Sequence, residues 1–301
     1  MGLLFFSFCA FGLVGFWELL IRLLRLAHPS FSCLSFHGAT SAAVILVMVV
    51  SAGFYGFFEA TDLRVERVRM VTPKLPPGSP VVTIAQVSDL HLGLIHREEA
   101  LAPITARLKE LAPDMVVATG DIVDAQINHL EELSVLWREL QPPLGKWAVT
   151  GNHEYYAGLE QALDFLHKSG FKVLRNQLEI VNDRLAVAGV DDPVGRPQVE
   201  ETEVLEQAPK NRFIVLLKHR PRFDSKARGL FDLQLSGHAH RGQIFPFNFF
   251  TALEYPMQNG LYELPEGAFL YASRGTGTWG PPMRFGSPPE ITLFEIVPLP
   301  Q

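Results

Sequence analysis

Cysteine is nearly missing from this chain of 301 residues: only Cys9 and Cys33 occur, both in the apolar N-terminal region. A thiolate metal site is thereby excluded from the rest of the chain, and cysteine usage says nothing about compartment. An excess of positive charge is lacking too. The formal net charge is −6, which argues against nucleic acid as the main partner, because phosphate backbones are held by clustered Lys and Arg. Residues 3–17 carry no charge of either sign and no Lys or Arg precedes Leu19, so the basic start of a cleaved signal peptide is not there. Internal repeats and low-complexity segments are absent as well.

Apolar length fills the place of charge at the start. The run from Leu3 continues past Glu18 to Ile21, and residues 39–58 form a second uncharged stretch. A helix needs ~20 residues to cross a hydrocarbon core, so residues 1–58 are expected to hold two membrane spans that anchor the chain N-terminally in the cell (inner) membrane. Arg22 and Arg25 lie between the spans, against Arg64, Arg67, Arg69 and Lys74 after them. That count favours a cytoplasmic C-terminal domain, yet large domains are exported regardless of it, and the side stays open.

Residues 59–80 include Thr72-Pro73-Lys74-Leu75-Pro76-Pro77-Gly78-Ser79-Pro80, too much proline for a helix or a central strand, and are expected to form an extended connector. A domain over 81–301 should follow. In it, short β-branched runs at 81–87, 115–119, 146–150, 185–190, 213–218, 233–235, 269–272 and 291–296 alternate with helical patterns at 98–111, 128–140, 158–169 and 222–229. This predicts an α/β fold of two layered mixed sheets flanked by helices, an αββα sandwich.

Polar residues gather where the strands end. Ser88-Asp89-Leu90-His91 follows the first, Gly120-Asp121-Ile122-Val123-Asp124 the second, Gly151-Asn152-His153-Glu154 the third, His219 the fifth, and Gly237-His238-Ala239-His240 the sixth. In extended backbone, positions i and i+2 face the same side, so Asp89 and His91 can reach one ion. The C-terminal strand ends are also where open α/β sheets place ligand sites. Carboxylate, amide oxygen and imidazole suit Mn, Fe or Zn. Seven such ligands exceed the need of one ion; two ions sharing a carboxylate would use them all.

The set D-x-H, G-D-x-x-D, G-N-H-E, a lone His after a strand and G-H-x-H, in that order, resembles the calcineurin-like metallophosphoesterase superfamily over roughly residues 81–297. The segment from Ser273 to Gly286 resembles the branch with membrane-attached bacterial phosphodiesterases and a UDP-2,3-diacylglucosamine hydrolase. The resemblance implies that Asp89, His91 and His240 hold one divalent metal, that Asn152, His219 and His238 hold a second, and that Asp121 bridges them. It implies further that His153 is the general acid or transition-state stabiliser, and that the reaction is hydrolysis of a phosphodiester or pyrophosphate, on a lipid-linked substrate in the narrower branch. Asp124 is then an acceptor that orients a ligand.

Simpler readings stand beside these. Asp121 and Asn152 could be helix N-caps, His219 could close a turn, and Gly120, Gly151 and Gly237 could serve turning alone or close approach to metals. His37, His96, His129 and His167 fit no ligand spacing and are assigned to surface or packing. A nucleotide or cyclic nucleotide phosphodiesterase and a non-catalytic membrane scaffold or sensor are the competing functions; decay to a scaffold should have cost a ligand, and none is missing. Candidate substrate contacts are Arg241, Arg274 and Arg284 with Phe249 and Phe250, the last two in a Phe-rich segment that either packs on the core or stays exposed as a membrane or ligand contact.

Overall fold

The computed structural model describes residues 2–36, 38–124, 130–197 and 199–300. His37, His129 and the start of the helix expected from residue 128 lie outside these. Helix α1 (Gly2–Ala27) and helix α2 (Ala39–Thr61) pack on one another at the N-terminus. Both are long and apolar enough to cross a membrane, and only 22% and 17% of their most apolar windows are buried. That is too little burial for core helices of a soluble domain, so the exposed apolar surface, with Leu4, Phe8 and Phe54 among it, supports membrane anchoring.

Twelve strands follow in chain order: β1 (Arg64–Thr72), β2 (Val82–Val87), β3 (Met115–Ala118), β4 (Lys146–Ala148), β5 (Lys172–Val173), β6 (Gln177–Ile180), β7 (Leu185–Gly189), β8 (Phe213–Leu217), β9 (Leu233–Ser236), β10 (Gly260–Glu263), β11 (Phe269–Ala272) and β12 (Glu290–Pro298). They form two mixed sheets, ordered β1-β12-β2-β3-β4-β5 and β10-β11-β9-β8-β7-β6. Strand alternation assigns the two faces of each sheet. In β2 and β3, Ile84 and Val117 turn toward the second sheet, packing with Val187, Val215 and Leu235, while Ala85 and Val116 turn outward. On that outer face lie α3 (Glu98–Leu111), α4 (Glu131–Arg138) and, beyond a short α5 (Asn152–Ala157), α6 (Leu159–Lys168), which bury Leu108, Trp137 and Phe165 against it. A short α7 (Glu201–Leu205) covers the outer face of the second sheet through Val204 and Leu205, and α8 (Phe247–Glu254) lies outside the two sheets with no buried residue. The αββα layering is as the sequence predicts.

Two expectations change. Within 59–80, Arg64–Thr72 is an edge strand paired in parallel with β12 along its whole length; the prolines that argue for a connector begin only at Pro73, and the alternation of Val65, Val68 and Met70 with Arg and Glu lies before them. The helix expected at 222–229 is a single 3-10 turn, Ser225–Ala227, capped by the Asp224 side chain, because Ala227 is the only buried residue of that turn, too little apolar contact for a longer helix.

Candidate metal centre

The loops after β2, β3, β4, β8 and β9 meet at one edge of the sandwich. There Asp89, His91 and His240 bring one donor atom each within 4.8 Å of one another, as do His91, Asp121 and His153, and Asp121, His219 and His238. The facing atoms are close: His91 Nε2 to His240 Nε2 is 3.2 Å, His238 Nδ1 to His219 Nε2 3.1 Å, and His219 Nε2 to Asp121 Oδ2 3.1 Å. Six of the seven sequence-derived ligand candidates thus come together, Asn152 lines the same cavity as His91, Asp121 and His238, and all seven but His238 are buried.

The backbone is bent to achieve this. Asp89, His91, Asp121, His238 and His240 all have φ between 47° and 69°, the left-handed region that costs non-glycine residues of order 1–3 kcal/mol each and that clusters at functional sites. Two glycines permit the close approach. A Cβ on Gly151 would overlap the Asp121 carboxylate, and one on Gly237 would overlap Ser88 and the Asp89 carboxylate.

Hydrogen bonds then set the side chains. His219 Nδ1 donates to the Thr119 carbonyl at 2.8 Å, leaving Nε2 to the site. His238 N donates to Asp89 Oδ1 at 3.0 Å and His153 N to Asp121 Oδ1 at 2.9 Å. Asp121 is not an N-cap, since no helix starts at its own turn and the N-cap of α5 is Gly151; it accepts from the first turn of α5 across the site, with one oxygen only. Asn152 is not a cap: it is the first residue of α5, and its Oδ1 is buried without a partner. Asp124 Oδ1 takes His153 Nδ1 at 2.9 Å, so the residue it orients is the candidate acid. His219 is a core residue and not part of a solvent-exposed turn.

The donor set fits divalent cations. Burial pushes the Asp89 carboxyl up to about 6 and the imidazoles of His91 and His238 down to about 3, so the latter are neutral and ligand-competent. Burial acts on His219 in the same direction, but the neighbouring Asp121 carboxylate outweighs it and raises that imidazole to about 10. His219 Nε2 and Asp121 Oδ2 face each other at 3.1 Å, an imidazole and a carboxylate that suit one cation. The orphaned Asn152 oxygen, which would otherwise cost about 1–3 kcal/mol, points to the same occupant.

Glu154 is the residue that sequence reasoning passed over. It is fully buried, and its carboxylate accepts from the main-chain N–H groups of Gly151 at 2.6 Å, Asp121 at 2.9 Å and Ile122 at 2.8 Å, tying two ligand loops together. Its signal was its place three residues after the Gly151 N-cap, where a carboxylate returns to the cap backbone. Glu154→Ala strands these donors and is expected to destabilise the fold by about 3 kcal/mol or more, read as a melting temperature lower by about 6–12 °C; a change below about 2 °C would mean that the clamp carries no weight.

The substrate contacts expected from sequence divide. Arg284 is fully buried, its guanidinium donating to the carbonyls of Arg274 at 2.7 Å, Ser287 at 3.0 Å and Gly277, with Nη2 3.3 Å from His240 Nδ1. Arg274 is spent on Glu66 and Glu290, each at 2.6 Å. Both brace the site from behind, and neither is among the residues that line the opening. Arg241 is half-buried between two residues that line the opening, His240 and Gly242. Phe249 and Phe250 are 62% and 65% exposed on α8, which decides against packing on the core.

A family model described as calcineurin-like phosphoesterase matches residues 82–242. The chain is 42% identical over 258 residues to an Aquifex aeolicus protein named an uncharacterized metallophosphoesterase, covering 83% of this chain and 98% of that one. It is 33% identical over 307 residues to a Danio rerio transmembrane protein with metallophosphoesterase domain, covering 96% of this chain and 69% of the relative. Among solved structures, a 5'-nucleotidase precursor from Thermus thermophilus superposes with a TM-score of 0.40 at 17% identity, over 65% of this chain and 49% of that one. The chain thus spans about half the length of that nucleotidase.

Proposed function

The chain belongs to the calcineurin-like phosphoesterase family and is a metal-dependent phosphoester hydrolase, and from that premise we propose that it cleaves a phosphodiester or pyrophosphate bond in a lipid-linked substrate, of the kind UDP-2,3-diacylglucosamine represents, while anchored N-terminally in the cell membrane. The observation that carries the reading is the exposed apolar helix α8 beside the convergent donor set, on the side of the molecule where α1 and α2 join it.

Asp89, His91 and His240 would hold one cation, Asn152, His219 and His238 the other, and Asp121 would lie between them. Bound there, two cations supply an acidified water as nucleophile and offset charge on the phosphoryl oxygens. His153, whose Nδ1 is engaged by Asp124, donates a proton from Nε2 to the departing oxygen, and Asp124 supports the imidazolium before that transfer. For His153, burial disfavours the charged form, but the Asp124 hydrogen bond and nearby carboxylates outweigh it and raise the imidazole above its ordinary value, as an acid at neutral pH requires. Glu154 keeps the loops of Asp121 and Asn152 in register. The apolar rings of α8 hold the substrate's lipid part out of water.

The test is a double replacement, Phe249→Ser with Phe250→Ser, in the detergent-solubilised full chain with added Mn. Hydrolysis of a nucleotide-linked diacyl lipid should fall about 10-fold or more relative to a small soluble phosphodiester, since each ring's contact with hydrocarbon is worth about 1–2 kcal/mol. The melting temperature should move little, because both rings are exposed. Equal losses on the two substrates would remove the lipid part of the reading.

A further inference from the structure

A cavity of about 630 Å³ connects the donor set to the membrane hairpin, a size within the ~300–1,000 Å³ of small-ligand clefts. At one end its walls are His91, Asp121, Asn152, His153 and His238; at the other they are Gly2 and Phe5 of α1, Phe247 and Thr251 of α8, and Pro281. Polar ligand chemistry and apolar wall lie in one continuous space.

The first turns of α1 are fastened in that position. The Phe5 ring stacks on Phe247 with centroids 4.6 Å apart, and Phe6 packs on Phe285 at 5.7 Å. Tyr55 of α2 meets the same Phe285 edge-on at 4.9 Å, and the main chain of the 284–286 segment is bonded to α2, Arg284 N to Gly56 O at 2.9 Å and Gly286 N to Glu59 Oε2 at 2.6 Å. The start of α1 and the end of α2 are therefore both seated against the catalytic domain. On the outer side of the same first turns, Leu3, Leu4 and Phe8 are 51%, 71% and 77% exposed. Surface of that kind belongs in hydrocarbon, so the bilayer has to begin at the level of Phe5, which is also the level of the cavity's apolar end.

We propose that the first two turns of α1 form one wall of an acyl-chain slot, with α8 as the opposite wall, so that α1 is a substrate-binding element as well as an anchor. The inference rests on the lipid-linked reading above. The ligand is an amphiphilic phosphodiester whose phosphate lies among the Asp and His donors and whose alkyl chain runs toward the bilayer along the wall that the stacked Phe5 and Phe247 rings form, past Thr251, without crossing water. The apolar cost of moving the chain is small, because it leaves one hydrocarbon environment for another; the slot's worth lies in orientation of the phosphate.

The full chain, in lipid nanodiscs with Mn, would be assayed on n-alkyl 4-nitrophenyl phosphates from methyl to dodecyl. The quantity read is the ratio of kcat/KM for dodecyl to that for methyl. Partition of the long chain into the nanodisc is common to every variant and cancels between them. Phe5→Ala and Thr251→Trp, the first removing a wall and the second filling the slot, are each expected to lower the ratio about tenfold, because a long chain without its slot no longer orients the phosphate. Phe8→Ala, on the exposed side of the same helix, should leave it at the wild-type value. Ratios for Phe5→Ala and Thr251→Trp within about twofold of wild type, or a wild-type rate that ignores chain length, would overturn the slot and leave the phosphodiesterase reading standing. Failure of the wild type to hydrolyse any member of the series would overturn that reading, and the slot with it.

Discussion

Exhaustive removal of divalent metal is expected to abolish phosphodiester hydrolysis by this chain, with a loss of about 10⁴-fold or more, equivalent to about 5 kcal/mol of barrier. The expectation follows from what surrounds the reacting space. The described lining of the cavity holds no Ser, Cys or Lys that could attack phosphorus, its Thr251 hydroxyl lies at the apolar end and is bonded to the Phe247 carbonyl, and its imidazoles sit in facing pairs as ligands do, His91 with His240 and His238 with His219. The protein thus supplies ligands, a proton donor and a shape, and the nucleophile has to be water made acidic by cations. Removal also leaves the Asn152 oxygen buried without a partner. A cation held at about a thousandfold above its dissociation constant stabilises by about 4 kcal/mol, so the melting temperature should fall by about 10 °C. Restoring Mn should recover both readouts. Full turnover in a sample shown by elemental analysis to be metal-free would refute the mechanism.

His153→Ala and Asp121→Ala are expected to fail in different ways. His153 is half-buried at the cavity wall and its Nδ1 belongs to Asp124; losing it should lower kcat by about 10²–10⁴-fold while both metals stay bound. In wild type, the rate should decline as pH rises through the His153 pKa, because the protonated form is the donor. Asp124→Asn withdraws the partner that raises that pKa, so this limb should move to lower pH. Asp121→Ala removes the carboxylate that faces His219 at 3.1 Å and would lie between two cations, so metal content should drop together with activity. It also leaves His219 without the largest of the charges that raise it, so that burial lowers that imidazole. Metal analysis showing both variants equally depleted, or both fully loaded, would dissolve this division of roles.

Legibility differed by the range over which each signal acts. The strands that carry the site were readable because they are buried on both faces, which requires largely apolar runs, unbroken in Phe213–Leu217 and interrupted only by Thr83 and Gln86 in Val82–Val87. The donors were readable because each sits directly after such a run, and α3 because its apolar spacing persists from Leu101 to Leu108. Edge strands were not: β1, β6 and β10 are only partly buried, so their composition is little constrained and their pairing is decided by the neighbour. The roles of Arg274 and Arg284 were unreadable for a related reason. A guanidinium beside a phosphate site and one bonded to carbonyls behind it look alike in sequence, since the acceptors come from Ser287, Gly277 and Glu66 by way of the fold.

The sequence by itself determined the two long apolar helices, the sandwich of mixed sheets and the chemistry of the edge where the strands end, because all three are written in local pattern: hydropathy over about twenty residues, alternation over about five, and polar residues at strand ends. Tertiary structure alone decided what those parts do to each other. The left-handed backbone at Asp89, His91, Asp121, His238 and His240, the Glu154 clamp across two loops, and the seating of Phe5 against Phe247 at the mouth of the cavity all join residues far apart in the chain. Such contacts depend on packing that closes only when both sheets and the helical hairpin are assembled, and no window of sequence contains both partners.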